Sequence, residues 1–148
     1  MKNLILLFTF FVSVSIAQVH QKEIIKFVDD NKGLKVGTGV CCDLIEKAIQ
    51  SYNPSYEMAS IKTDGDRYGK KVRRSDVMPG DILLVSGGTK KKINHVCIVY
   101  SVGGGEIVIA DQNIQGKLVD SKVSIRALPE EYHKEHYGKV RYTFYRPQ

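Results

Sequence analysis

The sequence carries a cysteine, a histidine and a pair of polar side chains in an order that suits nucleophilic attack on a carbonyl. Cys41 stands in "VGTGVCCDLIEKAIQ" (36–50), where a loop holding Gly37 and Gly39 turns into a helical pattern. A cysteine at a helix N-terminus faces the positive end of the macrodipole and unpaired backbone N–H groups. These suit a thiolate and can hold the oxyanion of an attacked carbonyl. His95 follows in "NHVCIVY" (94–100). A histidine held through one ring nitrogen presents the other as a general base. Asp111 and Asn113, in "ADQN" (110–113), are the side chains that can hold it. The loop register places Cys41 at the helix tip, and Cys42 falls about 100° further round, where it packs or pairs rather than reacts.

Positioning these groups needs helices early in the chain and strands late, and the periodicities supply both. Apolar residues at 24, 25, 27 and 28 before Gly33 predict an amphipathic helix within 19–33. Leu44, Ile45, Ala48, Ile49 and Tyr52 share a face of a second helix over 42–52, which Asn53-Pro54 ends. Strand-like runs follow at 77–88, 94–113, 122–128 and 140–147. That order predicts an α+β domain, its helices packed on a small antiparallel β-sheet. Gly103, Gly104 and Gly105 make 94–113 a hairpin. A turn symmetric about 103 sets His95 opposite Asp111, with Asn113 on the same face.

The chain has 148 residues, 43% hydrophobic and 26% charged, enough for one domain and its core. Lys2, the apolar run "LILLFTFFVSVSIA" and the small residues Ser15 and Ala17 read as a signal peptide over 1–17, too short to span a membrane. Residues 18–148 are then the mature single domain, secreted or periplasmic, off the membrane after cleavage and monomeric. An odd cysteine count in an exported chain leaves a free thiol, and Cys41–Cys42 pairing is strained. Cys97 is expected in the core near Ile45, where a Cys42–Cys97 bridge would still leave Cys41 free. The formal charge is +6. Its concentrated runs, 70–74 and Lys90, Lys91 and Lys92, read as solvated loops that can meet anionic polymers. No aromatic interleaving accompanies them, so no nucleic-acid partner is expected. "DGDRYG" (64–69) has Tyr68 where a calcium ligand belongs, and "HKEH" (133–136) reads as solvated surface rather than a zinc pair. Asp81, after Pro79-Gly80, reads as a turn cap.

The segments "GTGVCCDL", "MPGDILLV", "NHVCIVY" and "ADQN", over about 36–115, together resemble the CHAP family of cysteine- and histidine-dependent amidohydrolases/peptidases. The resemblance extends more distantly to NlpC-type peptidases of the papain-like class. It implies a papain-like α+β fold and amide hydrolysis, often in peptidoglycan peptides; no cofactor or metal is expected. It makes Cys41 the nucleophile, His95 the base, and Asp111 and Asn113 the orienting groups. Asp111 stands where the family commonly has Glu, and Cys42 where it commonly has a bulky residue. The expected function is an exported cysteine hydrolase. The alternatives are an inactive module that binds anionic cell-surface polymers, and a secreted effector acting on another amide.

Overall fold

The computed structural model describes residues 18–57, 68–87, 92–113 and 121–148, with residues 92–94 described by their backbone alone. Residues 1–17, expected to be a signal peptide, residues 64–67 of the calcium-like run, Lys90 and Lys91, and the side chain of Lys92 lie outside them. The described residues form an α+β fold. Helix α1 covers 18–31 and buries Ile24 and Val28. Helix α2, Cys41–Gln50, buries Leu44, Ile45, Ala48 and Ile49 along one stripe. It ends where Asn53 N–H donates to Ile49 O, just before Pro54. No helix among the described residues is long and apolar enough to cross a membrane.

The strands are β1 (Lys70–Val72), β2 (Ile82–Gly87), β3 (Lys92–Gly103), β4 (Glu106–Asp111), β5 (Ser124–Ala127) and β6 (Arg141–Arg146). They join in the order β1-β6-β2-β3-β4-β5, every neighbouring pair antiparallel. Alternation along each strand sorts side chains onto two faces. Ile82, Leu84, Val96, Ile98 and Ala110 meet α1 and α2 on the first face. Leu83, Val85, Cys97, Val99, Ile109 and Phe144 form a second cluster on the other. Helix α3, Glu130–Tyr137, packs Tyr137 against that second cluster.

The hairpin differs in register from the symmetric expectation. Gly104 and Gly105 occupy its tip with φ of 58° and 82°, a two-residue turn that only residues at ease with positive φ allow. That turn pairs Gly103 with Glu106. A bulge between Val99 and Ser101 then shifts the ladder by one residue, so Ile98 pairs with Ala110. Continued one step, the register sets Cys97 rather than His95 against Asp111, and His95 becomes the diagonal neighbour. Facing survives the shift because both offsets keep parity.

Other local expectations also change. Cys97 does not pack near Ile45; it lies on the opposite sheet face, because residues 95, 97 and 99 alternate away from the helices. Cys42 packs on the first cluster, so the Cys42–Cys97 bridge is not formed and all three thiols are free. Asp81 does accept from Met78 N–H at 2.9 Å, as a turn cap should. It is also fully buried and takes two hydrogen bonds from Arg146, both at 3.0 Å, tying the start of β2 to the end of β6. Helix α3 and strand β1 have no strong apolar period and were not expected from the sequence.

Candidate active site

The cysteine loop is built before the cysteine. Gly37 has φ of 58°, and a Cβ there would lie 2.6 Å from Asp43 Oδ2. That oxygen accepts the backbone N–H and the hydroxyl of Thr38, both at 2.6 Å, which folds the loop back onto the first turn of α2. Val40 is the N-cap and offers no side-chain acceptor. The helix tip, with Cys41 as its first residue, is therefore not closed by a capping side chain.

The second clamp on this loop is Gln112, a member of "ADQN" with no role expected from the sequence. It is buried, at 1% exposure. Its Oε1 accepts from Val36 N–H at 3.2 Å, and its Nε2 donates to Val36 O at 3.1 Å and Val40 O at 2.7 Å. Gln112 thus joins the end of β4 to the residue before the cysteine. Its Ala variant strands three backbone groups. Gln112→Ala should lower unfolding stability by about 2 kcal/mol, measured in urea, and should slow alkylation of Cys41 by displacing the loop.

His95 gathers partners from both layers. It is 2% exposed. Nε2–H donates to Asp111 Oδ2 at 3.0 Å. The thiols of Cys41, from the helix layer, and Cys97, from its own strand, also act on the ring. Burial works against its charged form, but Cys97, the hydrogen bond to Asp111 and the Cys41 thiol outweigh burial and hold the imidazole above its ordinary value.

Asp111 is wholly buried, and its two oxygens divide the work. Oδ2 faces His95, while Oδ1 accepts from Ser124 Oγ at 3.0 Å and from Arg126 Nη2 at 2.5 Å. Burial would raise its pKa. The hydrogen bond and charge of His95, then Arg126, prevail and keep it below the ordinary carboxylate range. The carboxylate, although one methylene shorter than Glu, reaches His95 because it sits diagonal to it on the same face. Asn113 takes a φ of 60°, and its Oδ1 is buried without a hydrogen-bond partner. Asn113 therefore does not hold the ring through that oxygen. Ser124 and Arg126, on β5, carry no motif in the sequence and are placed only by the β4–β5 pairing of Asp111 with Ser124.

The two other cysteines differ from Cys41 in setting. Burial, then the neighbouring Cys41 and Asp43, push the Cys42 thiol up to about 11. Cys97 is fully buried, and burial raises it as well.

His133 corrects the expectation of a solvated "HKEH". It is fully buried, whereas His136 is exposed, because α3 turns only one side toward the sheet. Its ring centroid lies 6.3 Å from that of His95, and its Nδ1 is 3.2 Å from the Tyr142 hydroxyl. Burial, then the charge of His95, push its imidazole down to about 4 from 6.5. The unfolded chain takes up this proton near 6.5, while the folded chain resists it until about 4. Stability should therefore fall as pH drops through that window. His133→Gln should remove on the order of 2 kcal/mol of the loss between pH 7 and pH 4.5, read from urea midpoints at both values.

No family model matches the chain, and no curated protein matches it. Solved structures do. The crystal structure of Ly7917 superposes with a TM-score of 0.60 at 18% identity, covering 86% of this chain and 62% of that one. The crystal structure of Ly7917 with the hydrolyzing product of MDP gives 0.59 at 17% identity, covering 86% and 63%. The chain thus spans less than two thirds of the Ly7917 chain's length, and the likeness is one of fold.

Proposed function

We propose that this chain is an exported cysteine hydrolase that cleaves amide bonds in peptidoglycan peptides. The observation that carries the reading is the placing of one buried imidazole between the Cys41 thiol and the Asp111 carboxylate. The Ly7917 structure holding a hydrolysis product of MDP, a peptidoglycan fragment, supports the substrate class.

With Nε2 held by Asp111, Nδ1 of His95 is the nitrogen that exchanges protons. His95 takes the Cys41 proton as sulfur attacks the amide carbon, and N–H groups at the tip of α2 receive the oxyanion. His95 then gives that proton to the leaving amine as the C–N bond breaks, leaving a thioester. Water attacks the thioester and gives a proton to His95. The C–S bond breaks, the acid leaves and Cys41 recovers its proton. Asp111 fixes the ring and balances its charge, and Arg126 with Ser124 fixes Asp111. Asn113, expected as a second orienting group, has no step of its own in this scheme.

The test is incubation of the purified mature chain with peptidoglycan and with short cell-wall peptides, following new amine and carboxyl ends by mass spectrometry. A release of peptide that depends on Cys41 is expected. No product, together with no preference of a thiol electrophile for Cys41 over Cys42, would overturn the reading.

A further inference from the structure

We propose that His95, Cys97 and Asp111 also form a zinc-binding site, and that zinc there withdraws His95 from catalysis. The occupancy claim stands on its own geometry, whereas the inhibitory claim rests on the hydrolase reading. Cys97 has no part in the hydrolytic scheme, yet it lies against the base of that scheme rather than among aliphatic side chains alone. One ligand atom from each of the three residues lies within 4.8 Å of the others. All three are buried, at 2%, 0% and 0% exposure. Nitrogen, thiolate and carboxylate form a donor set that suits zinc and not the oxygen-seeking calcium or magnesium.

The hydrogen-bond pattern shows how an ion enters the set. His95 Nε2 and Asp111 Oδ2 are 3.0 Å apart, close to the separation of two ligands that each lie ~2.0–2.1 Å from one zinc. Asp111 Oδ1 is already committed to Ser124 and Arg126, so the carboxylate binds through Oδ2 alone. Binding releases the Cys97 thiol proton to solvent, and the ring proton passes from Nε2 to Nδ1, so a neutral imidazole ligates through Nε2. A further nitrogen donor stands beside the trio. His133 is fully buried, its Nε2 has no hydrogen-bond partner, and its Nδ1 is held by the Tyr142 hydroxyl. A ligating histidine is ordinarily fixed in that way through its other nitrogen. Arg126 on the far oxygen of Asp111 leaves the loaded site with net positive charge, which fits a reversible regulator better than a permanent structural ion. Zinc would compete with the hydrogen bond that orients His95, so the ion and turnover exclude each other.

The experiment titrates the reduced mature chain with cobalt(II), a spectroscopic stand-in for zinc, and follows the thiolate-to-cobalt charge-transfer band. One equivalent should give the band, and zinc should displace it. The Cys41→Ser/Cys42→Ser double variant leaves Cys97 as the sole thiol and should keep the band. Cys97→Ser should lose the band and bind zinc at least roughly tenfold more weakly by competition with a chromophoric chelator. Tyr142→Phe should weaken zinc binding by about tenfold. Absence of the band in wild type or in the double variant would overturn the site, as would its persistence in Cys97→Ser. In the hydrolysis assay, zinc should suppress turnover roughly tenfold or more, and a chelator should restore it. A band without turnover under any condition sinks the hydrolase and the inhibition but keeps the site, whereas turnover without a band sinks the site alone.

Discussion

Cys41→Ser is expected to lower hydrolysis of cell-wall peptides by roughly a thousandfold or more, with urea midpoints within ~0.5 kcal/mol of wild type. The hydroxyl keeps the size and hydrogen-bonding role of the thiol at the tip of α2, so the loop held by Asp43 and Gln112 has no reason to move. What changes is the nucleophile, since a serine hydroxyl gives up its proton to His95 far less readily than a thiol. Cys42→Ser is the control. That side chain packs half-buried on the first core cluster, and its thiol is pushed up to about 11 by burial first of all, so it stays protonated at neutral pH. The Cys42 variant should keep turnover within a few fold while losing some stability. Equal loss in both variants would mean that the vicinal pair, and not Cys41, is what the site needs.

Asp111→Asn should be the more destabilising change. The carboxylate serves His95 with one oxygen and both Arg126 and Ser124 with the other. An amide has only one oxygen. If it faces His95, its NH2 group meets the Arg126 guanidinium. If it faces Arg126, the NH2 group meets the Nε2–H of the ring. Either way a buried donor is left facing a donor, and the charge that balanced His95 and Arg126 is gone. Removing one partner of a buried charge pair costs ~3–5 kcal/mol. Arg126 keeps a third of its side-chain surface, so about 2–4 kcal/mol is expected here. Turnover should fall roughly a hundredfold or more, because the ring is no longer held in one tautomer.

The same carboxylate sets an acid limit. Its folded pKa lies below the ordinary value, with His95 and Arg126 prevailing over burial. A depressed carboxylate contributes stability above the unfolded pKa and loses it as pH falls through the folded one. Wild type should therefore lose stability as pH drops below about 4. In Asp111→Asn that dependence should be weaker, because the variant has already lost the group that titrates.

Periodicity and punctuation made most of the scaffold legible. The stripe Leu44, Ile45, Ala48, Ile49 marked α2, and the strand runs at 94–113 and 140–147 marked β3, β4 and β6. Helix α3 was hidden because its one fully buried residue is His133, which on a linear reading looks like any surface histidine. The hairpin register was off because a two-residue glycine turn and a bulge at Val99/Ser101 are set by local backbone twist, not by side-chain type.

By itself the sequence determined the shared face of His95 and Asp111, the helix-tip place of Cys41 and the α+β order, all of which follow from alternation and helical period along short stretches. Only the tertiary structure decided which groups stand around His95. Arg126 and Ser124 arrive through the β4–β5 pairing, Gln112 through contact with a loop more than seventy residues away, and Cys97 and His133 through the second face of the sheet. Such long-range neighbours come from strand order and from which face a helix covers, and neither is written in the spacing of residues along the chain.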